Sequence, residues 1–142
     1  MKLSAKVDYA CRAVLELALR FNGTTPVQLS AIAREQKMPP NFLLQLLIRL
    51  KNAGVVKSAR GVSGGYYLAK PPKEIRLSDV IRAVDDSVLE EFSIINGRSS
   101  QGFDPFAAVW ADMSRGIISC LDRVTFEELA TQARPFEASY AI

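Results

Sequence analysis

Residues 38–54 constrain the fold more than any other part of this sequence. They read MPPNFLLQLLIRLKNAG, with two adjacent prolines near the start and a glycine at the end. Proline suits the first turn of a helix, where its missing amide costs nothing, and glycine commonly follows the last turn. The leucines recur at intervals of three and four residues and form one apolar stripe: Leu43, Leu46, Leu47 and Leu50. We therefore predict an amphipathic helix that begins at Pro40 and buries its leucines.

The flanking residues predict the rest of a small domain. Residues 4–20 carry a second apolar stripe, formed by Val7, Ala10, Val14 and Leu17, and residues 29–37 fit a short helix. After Gly54, the runs VVKSA and GYYLAK have the composition of strands, and the turn at residues 60–65 joins them into a hairpin. Helices followed by a hairpin give a winged helix-turn-helix, with the helix-turn-helix at about residues 28–51 and the wing at 55–69.

The second half of the chain, residues 75–142, predicts one long helix. A short helix at residues 77–84 leads into the polar, Gly- and Ser-rich segment 86–104. Asp104 followed by Pro105 is a typical helix start. Thr125 and Glu128 have the spacing of a capping box and predict a short final helix. The apolar stripe of the long helix consists of Phe106, Val109, Trp110, Met113, Ile117, Cys120, Leu121 and Val124.

That stripe needs a partner surface. An intramolecular core is one option, but a chain of 142 residues has few helices left to cover it. We expect instead that the helix at residues 105–124 pairs with its copy in a homodimer. The expected fold class is mainly α with a small β-hairpin wing: a winged helix-turn-helix plus a long dimerisation helix.

Charge divides the chain more sharply than its net value of +3 suggests. Residues 1–73 contain 12 lysines and arginines against 3 acidic residues, whereas residues 74–142 contain 6 against 12. A basic half joined to an acidic half is typical of a module that binds a polyanion and is carried by an element that does not. Two solvated faces of one globule are the alternative interpretation.

The turn GVSGG, residues 61–65, matches the G-x-S-x-G pattern of a serine hydrolase with Ser63 as nucleophile. Such a serine needs a neighbouring base, usually histidine, and this chain has no histidine. A Ser–Lys pair stays conceivable, but the pattern requires a helix after the serine, and the strand-like YYLA follows instead. We therefore expect no enzyme and keep a hydrolase at Ser63 as a remote alternative. The glycines fit a tight hairpin tip.

The residues do not indicate a metal site, a cofactor or a membrane span. The two cysteines, Cys11 and Cys120, lie far apart and lack a C-x-x-C partner, so neither a zinc site nor a disulfide is expected. No cofactor is expected.

No run reaches the roughly 18 apolar residues of a membrane span, and charged residues interrupt the first segment before it could act as a secretory signal. We expect a cytoplasmic protein that contacts no membrane.

Three segments resemble the Rrf-two family of bacterial transcription regulators, over about residues 2–131. They are MKLSAKVDYACRAVLELA, the run from LSAIAREQK to GGYYLAK, and IRLSDVIRAVDDSV, and the block LKNAGVVKSARGVSGGYYLA within them is highly specific. The resemblance implies a homodimeric winged-helix protein that binds double-stranded DNA, with residues 105–124 forming the dimer. It also implies that the helix from Pro40 reads the major groove and that Arg60 of the wing enters the minor groove.

The sequence departs from this family at two places. Some members sense through an iron–sulfur cluster held by three cysteines in the loop before the long helix. Here that stretch, EEFSIINGRSSQGFDPFAA, has neither cysteine nor histidine, so a 2Fe–2S site there is not expected. The second departure is Leu44, where cluster-type members often carry an acid, and their operator sequence is therefore not transferred.

The sequence thus predicts a homodimeric repressor without a cluster, which binds a pseudo-palindromic operator through residues 1–74. Base-facing candidates are Asn41, Leu44, Gln45, Arg49 and the wing Arg60, because such amides and guanidinium groups can pair with base edges. The other residues expected at the DNA are Lys2, Ser4, Lys6, Pro40, Phe42, Lys51, Lys57, Gly61, Ser63 and Gly64. An effector of unknown kind stays open: a small metabolite, thiol oxidation or a protein partner, acting through segment 86–104.

Overall fold

The computed structural model describes residues 3–87 and 104–140. Helices α1 (Ala5–Leu19), α2 (Leu29–Glu35) and α3 (Pro40–Asn52) come first, followed by strands β1 (Val56–Ala59) and β2 (Gly65–Leu68). The strands pair antiparallel. A single 3-10 turn (Pro72–Glu74) leads to α4 (Leu77–Val84), and α5 (Pro105–Arg123) and α6 (Phe126–Tyr140) complete the described part. The predicted fold class is confirmed. Within the described ranges, no helix is both long enough and apolar enough to span a membrane.

Short polar side chains set the starts of three helices. Ser4 caps α1, since its hydroxyl accepts a hydrogen bond from the Val7 amide at 3.3 Å. Asp104 caps α5 by accepting from the Phe106 amide at 3.0 Å, and Thr125 caps α6 by accepting from the Glu128 amide at 3.2 Å. Each cap satisfies an amide that has no partner inside its own helix. The helix starts predicted at Asp104 and Thr125 are thereby confirmed.

The turn between α2 and α3 rests on a conformation that the residue types do not signal. Lys37 has a φ of +52°, in the left-handed region where glycine is usual. The Lys37 amide donates to the carbonyl of Arg34, and the Met38 amide donates to the carbonyl of Ala33 at 3.0 Å. Met38 is buried beside them. Because these bonds close the last turn, α2 ends at Glu35 instead of running to residue 37 as predicted.

One hydrophobic core includes residues from both halves of the chain. The leucine stripe of α3 is buried as predicted, with each leucine no more than 1% exposed. It belongs to the same cluster as the inward residues of α1, α4 and α6, among them Ile81 and Phe126. The boundary predicted at residue 74 therefore lies inside a shared core, and it stays a prediction about function.

The hairpin is attached to the helix-turn-helix by a short backbone bridge. Val27, just before α2, pairs with Tyr66 of β2, and each amide donates to the other's carbonyl at 2.8 Å. The neighbouring Gly65 has a φ of +147°, and a Cβ there would lie 2.2 Å from the Val27 carbonyl oxygen. Only glycine permits so close an approach of two backbones. The Gln28 side chain adds a further link, because its Nε2 donates to the Val62 carbonyl at 3.1 Å.

A buried carboxylate holds α1 against the end of α2. Glu16 accepts a hydrogen bond from Nε of Arg20 at 2.8 Å and another from Nε2 of Gln36 at 2.9 Å. The side chain is buried, and both of its oxygens have partners. A buried charge contributes to stability only while its partners remain in place.

We expect Glu16→Ala to lower the free energy of unfolding by about 2–3 kcal/mol, because Arg20 and Gln36 lose a charged acceptor in a buried setting. Asp8 and Arg12 form a pair of the same spacing on the exposed face of α1. Asp8→Ala is therefore the matched control, and it should cost less than about 0.5 kcal/mol. Urea unfolding followed by circular dichroism measures both values, and equal losses would contradict the role given to Glu16.

Gly65→Ala should release the wing from the helix-turn-helix, because the added methyl group would occupy the position of the Val27 carbonyl. We expect the Val27 and Tyr66 amides to lose their protection from hydrogen exchange. Gly61→Ala is the control: Gly61 also has a positive φ, +99°, but an added Cβ meets nothing within 4 Å. Its cost is backbone strain of about 1–3 kcal/mol, and protection at Val27 and Tyr66 should persist. Protection of both amides in Gly65→Ala would show that the bridge does not need glycine.

Candidate nucleic-acid interface

Helix α3 has an exposed face opposite its buried leucines. Asn41 and Gln45 lie about one turn apart on this face, and both are exposed. Beside them lie Leu44 and Ile48, also one turn apart, with 38% and 44% of their surfaces exposed. The face therefore combines amide groups with apolar side chains in neighbouring rows. In the DNA major groove, adenine offers a donor and an acceptor to an amide, and thymine offers a methyl group to an apolar side chain.

Two residues of α3 that were predicted to contact DNA have partners within the chain. Phe42 packs edge-on against Tyr9 of α1, with ring centres 5.5 Å apart. Arg49 donates from Nη1 to the carbonyl of Val84, the last residue of α4, at 3.0 Å. A cation is favourable at a helix C-terminus, where carbonyl groups lack partners. These contacts fix α3 on its neighbours, and the DNA contacts predicted for Phe42 and Arg49 stay predictions.

The glycines of the wing tip each meet a separate steric requirement. Gly61 has a φ of +99°, and its carbonyl accepts from the Gly64 amide at 3.0 Å. At Gly64 a Cβ would lie 2.3 Å from the Ala59 carbonyl oxygen, inside the turn. Gly64 is buried. Gly64 therefore shapes the turn, and the DNA contact predicted for it stays a prediction.

The outer surface of the tip consists of Arg60, Gly61, Val62 and Ser63, which are all exposed. Within the described part of the chain, no hydrogen bond or ion pair engages the Arg60 side chain. Val62 is 94% exposed. The sequence does not single out this residue, because one valine in a turn forms no pattern. Ser63 precedes β2 and not a helix, so the geometry of a hydrolase nucleophile is not formed.

The basic residues around this surface differ in their surroundings. Lys51 at the end of α3 and Lys57 on β1 are exposed. Ser4 and Lys6 are partly buried near Asp85, beyond the end of α4. The pKa of Asp85 is lowered chiefly by the hydrogen bond from the Ser87 hydroxyl, and to a smaller extent by the charge of Lys6 and a hydrogen bond from Ser4. The predicted contact Lys2 lies outside the described residues, as do residues 88–103 of the predicted loop.

The two cysteines are separate and differ in exposure. Cys11 is partly buried on α1, and burial, with a further effect of Asp8, raises the pKa of its thiol to about 11. At neutral pH it is therefore protonated, a poor nucleophile and a poor metal ligand. Cys120 is exposed on α5. Among residues 3–87 and 104–134, no three Cys, His, Asp or Glu side chains are grouped as a metal site.

Helix α5 leaves much of its apolar stripe exposed in the single chain. Phe106, Val109, Trp110 and Met113 are between 40% and 66% exposed. Phe106 and Trp110 stack on each other, with ring centres 6.4 Å apart. Cys120 is exposed as well, whereas Ile117, Leu121 and Val124 are half-buried, and Leu121 packs against the core of its own chain. The stripe thus divides into an exposed N-terminal part and a C-terminal part that is mostly half-buried.

Comparison with known proteins gives the same family from sequence and from structure. The profile of the Rrf2 family, described as iron-dependent transcriptional regulators, matches residues 3–132. An HTH-type transcriptional regulator of Synechocystis is 36% identical over 98% of this chain and 94% of its own length. IscR of Klebsiella pneumoniae is 36% identical over 98% of this chain and 85% of its own length.

Solved structures extend the likeness to three dimensions. CymR, the global cysteine regulator of Bacillus subtilis, superposes with a TM-score of 0.77, at 31% identity, over 93% of this chain and 98% of its own. IscR of T. potens gives 0.76, at 34% identity, over 94% of this chain and 88% of its own. The chain therefore belongs to the Rrf2 family and is a DNA-binding transcription regulator rather than an enzyme.

Proposed function

We propose that this regulator is a homodimeric repressor of the bacterial cytoplasm, which binds a pseudo-palindromic operator and holds no iron–sulfur cluster. The observation that carries the proposal is the fixed relation between two exposed surfaces, the outer face of α3 and the wing tip. The Val27–Tyr66 bridge joins β2 to the segment before α2, and the turn at Lys37 joins α2 to α3. Both surfaces are therefore presented to one ligand at a set separation.

The two surfaces suit neighbouring grooves of one duplex. In the proposed complex, Asn41 and Gln45 read adenines in the major groove, and Leu44 contacts thymine methyl groups. Arg60 enters the adjacent minor groove, whose negative potential is strongest where A·T pairs make it narrow. Lys51 and Lys57, together with Lys2, Lys6, Pro40 and the tip residues Gly61 and Ser63, contact the phosphate backbone. Such contacts supply affinity and orientation rather than sequence choice.

The exposed stripe of α5 supports the homodimer. Phe106, Val109, Trp110 and Met113 form a contiguous apolar surface, and a large exposed apolar patch typically marks an interaction site. A two-fold axis places the same surface of two copies against each other. The two recognition helices then meet half-sites about one helical turn, roughly 10–10.5 bp, or a multiple of it apart. A dimer bound across a promoter would exclude the transcription machinery.

The residues present do not fit an iron–sulfur cluster. Cluster irons are held mainly by thiolates, and the whole sequence contains two cysteines and no histidine. Cys11 lies on α1 with its pKa raised to about 11, and Cys120 lies on α5. No step of the proposed function therefore passes through a cluster. The high pKa of Cys11 disfavours oxidation of that thiol as a signal. A small metabolite, a protein partner and oxidation of the exposed Cys120 stay as alternative effectors.

Arg60→Ala should weaken binding to the operator by roughly tenfold or more and reduce the preference for A·T at the base pairs under the wing. The slope of log K against log salt should also become smaller by about one. Fluorescence anisotropy across a salt series, on a duplex selected by the wild type from a randomised library, measures both. Arg115→Ala removes the same charge from α5 and is the control. Unchanged affinity of Arg60→Ala would overturn the wing assignment.

Met113→Asp should shift the protein to monomers, because the dimer would bury one uncompensated carboxylate from each copy, at a cost of several kcal/mol. Sedimentation velocity at micromolar protein measures the change. Ser119→Asp is the matched control, since Ser119 is exposed on α5 and lies outside the apolar stripe. A stable dimer of Met113→Asp, or equal disruption by both variants, would contradict the proposed interface.

A further inference from the structure

Val62 is the most exposed of the large apolar side chains in the described residues. At 94%, its exposure is well above the 57% of Leu3 and the 66% of Phe106. It lies at the centre of the wing tip, two residues after Arg60 and next to Ser63. At this position the valine side chain contributes little to the stability of the fold, because an apolar side chain is stabilising when it is buried.

The backbone at Val62 is held in place although the side chain contacts little. Nε2 of Gln28 donates to the Val62 carbonyl at 3.1 Å, and the Gly64 amide closes the turn onto Gly61 at 3.0 Å. Position 64 requires glycine, because a Cβ there would clash with the Ala59 carbonyl oxygen. The tip therefore carries its apolar side chain outward on a constrained turn, at the same end of the hairpin as Arg60.

The floor of the minor groove distinguishes base pairs by one polar group. A G·C pair places the 2-amino group of guanine there as a hydrogen-bond donor, whereas A·T offers acceptors alone. A valine against the groove floor displaces water from that amino group and offers no acceptor in its place. An unsatisfied buried donor costs about 1–3 kcal/mol. Against A·T no donor is lost, and the methyl groups contact the apolar edges of the sugars.

We propose that Val62 is a specificity-determining residue of the wing, which disfavours G·C pairs by setting an apolar side chain against the 2-amino group of guanine. The inference rests on the proposed placement of the wing in the minor groove. It adds a role distinct from that of Arg60, because arginine responds to the potential and width of the groove, whereas Val62 responds to a single donor.

Inosine isolates that donor, since it is guanine without the 2-amino group and presents the same major-groove edge. Binding of the dimer is measured by anisotropy on two versions of the operator selected by the wild type, which differ only in carrying I·C or G·C at the base pairs under the wing. We expect the wild type to prefer I·C by at least about fivefold, the lower end of the cost of an unsatisfied donor. Val62→Ser should reduce this ratio to less than about twofold, because the serine hydroxyl can accept from the amino group. The salt dependence of Val62→Ser should match the wild type.

Two further variants separate the contributions of the tip. Val62→Ile keeps an apolar side chain and should keep the preference, whereas Arg60→Ala should weaken binding to both duplexes and reduce the salt slope. A wild-type ratio near one, or an unchanged ratio in Val62→Ser, would overturn the role of Val62 while leaving DNA binding intact. Failure of the wild type to bind either duplex, or indifference to Arg60→Ala, would instead overturn the proposed function. Because Val62 is 94% exposed, the thermal unfolding of its variants should match the wild type.

Discussion

The antiparallel pairing of Val27 with Tyr66 is the contact on which the candidate interface depends. Its two hydrogen bonds, each 2.8 Å long, join β2 to the start of the helix-turn-helix. Without them the hairpin would be held by residues 53–55, by the Gln28–Val62 hydrogen bond and by the core packing of Val56 and Leu68, and the wing tip would be positioned less strictly. A surface that contacts two grooves at once gains affinity from having its parts ordered in advance, because little conformational entropy is then lost on binding. In the proposed complex, this connection therefore contributes to recognition by holding the wing tip in place relative to α3.

The segment GVSGG, residues 61–65, forms the turn that leads into this pairing. Gly65 lets the strand approach Val27, Gly64 fills the inside of the turn, and Gly61 adopts a positive φ. The two remaining residues, Val62 and Ser63, are the ones whose side chains the turn does not constrain. The same five residues therefore fit both a hydrolase pattern and a wing tip. The strand that follows Ser63 distinguishes the two, because a hydrolase would have a helix there. The turn does not form the strand-to-helix geometry that a serine nucleophile at Ser63 would need, and the chain contains no histidine to act as its base. The exposed tip is therefore interpreted as a binding surface.

The features that sequence predicted correctly are those that short-range physics determines. The leucine stripe, the caps at Asp104 and Thr125 and the hairpin all follow from residues within a few positions of each other. The sequence did not predict the left-handed Lys37, because its cost is offset by the burial of Met38 in the folded chain. It also missed the Val27–Tyr66 bridge and the Arg49–Val84 hydrogen bond, which join residues 39 and 35 positions apart. Candidate residues were found by their type, whereas the intramolecular contacts of Phe42 and Arg49 are visible only in the tertiary structure.

Helix α3 is held at both ends as well as along its buried face. Near its start Phe42 packs on Tyr9 of α1, and near its end Arg49 bonds to the carbonyl that closes α4. Val84 is followed directly by Asp85, which is close to Lys6 of α1. The end of α4 therefore contacts two elements of the basic half, and it does so at the exposed margin of the core. A displacement of α4 would act on α3 through this hydrogen bond and also through the core, because Ile81 and Val84 belong to the same cluster as the leucines of α3. Closely packed interiors resist gradual deformation, so the shared core and the Arg49 hydrogen bond together hold the exposed face of α3 in a fixed position relative to α4.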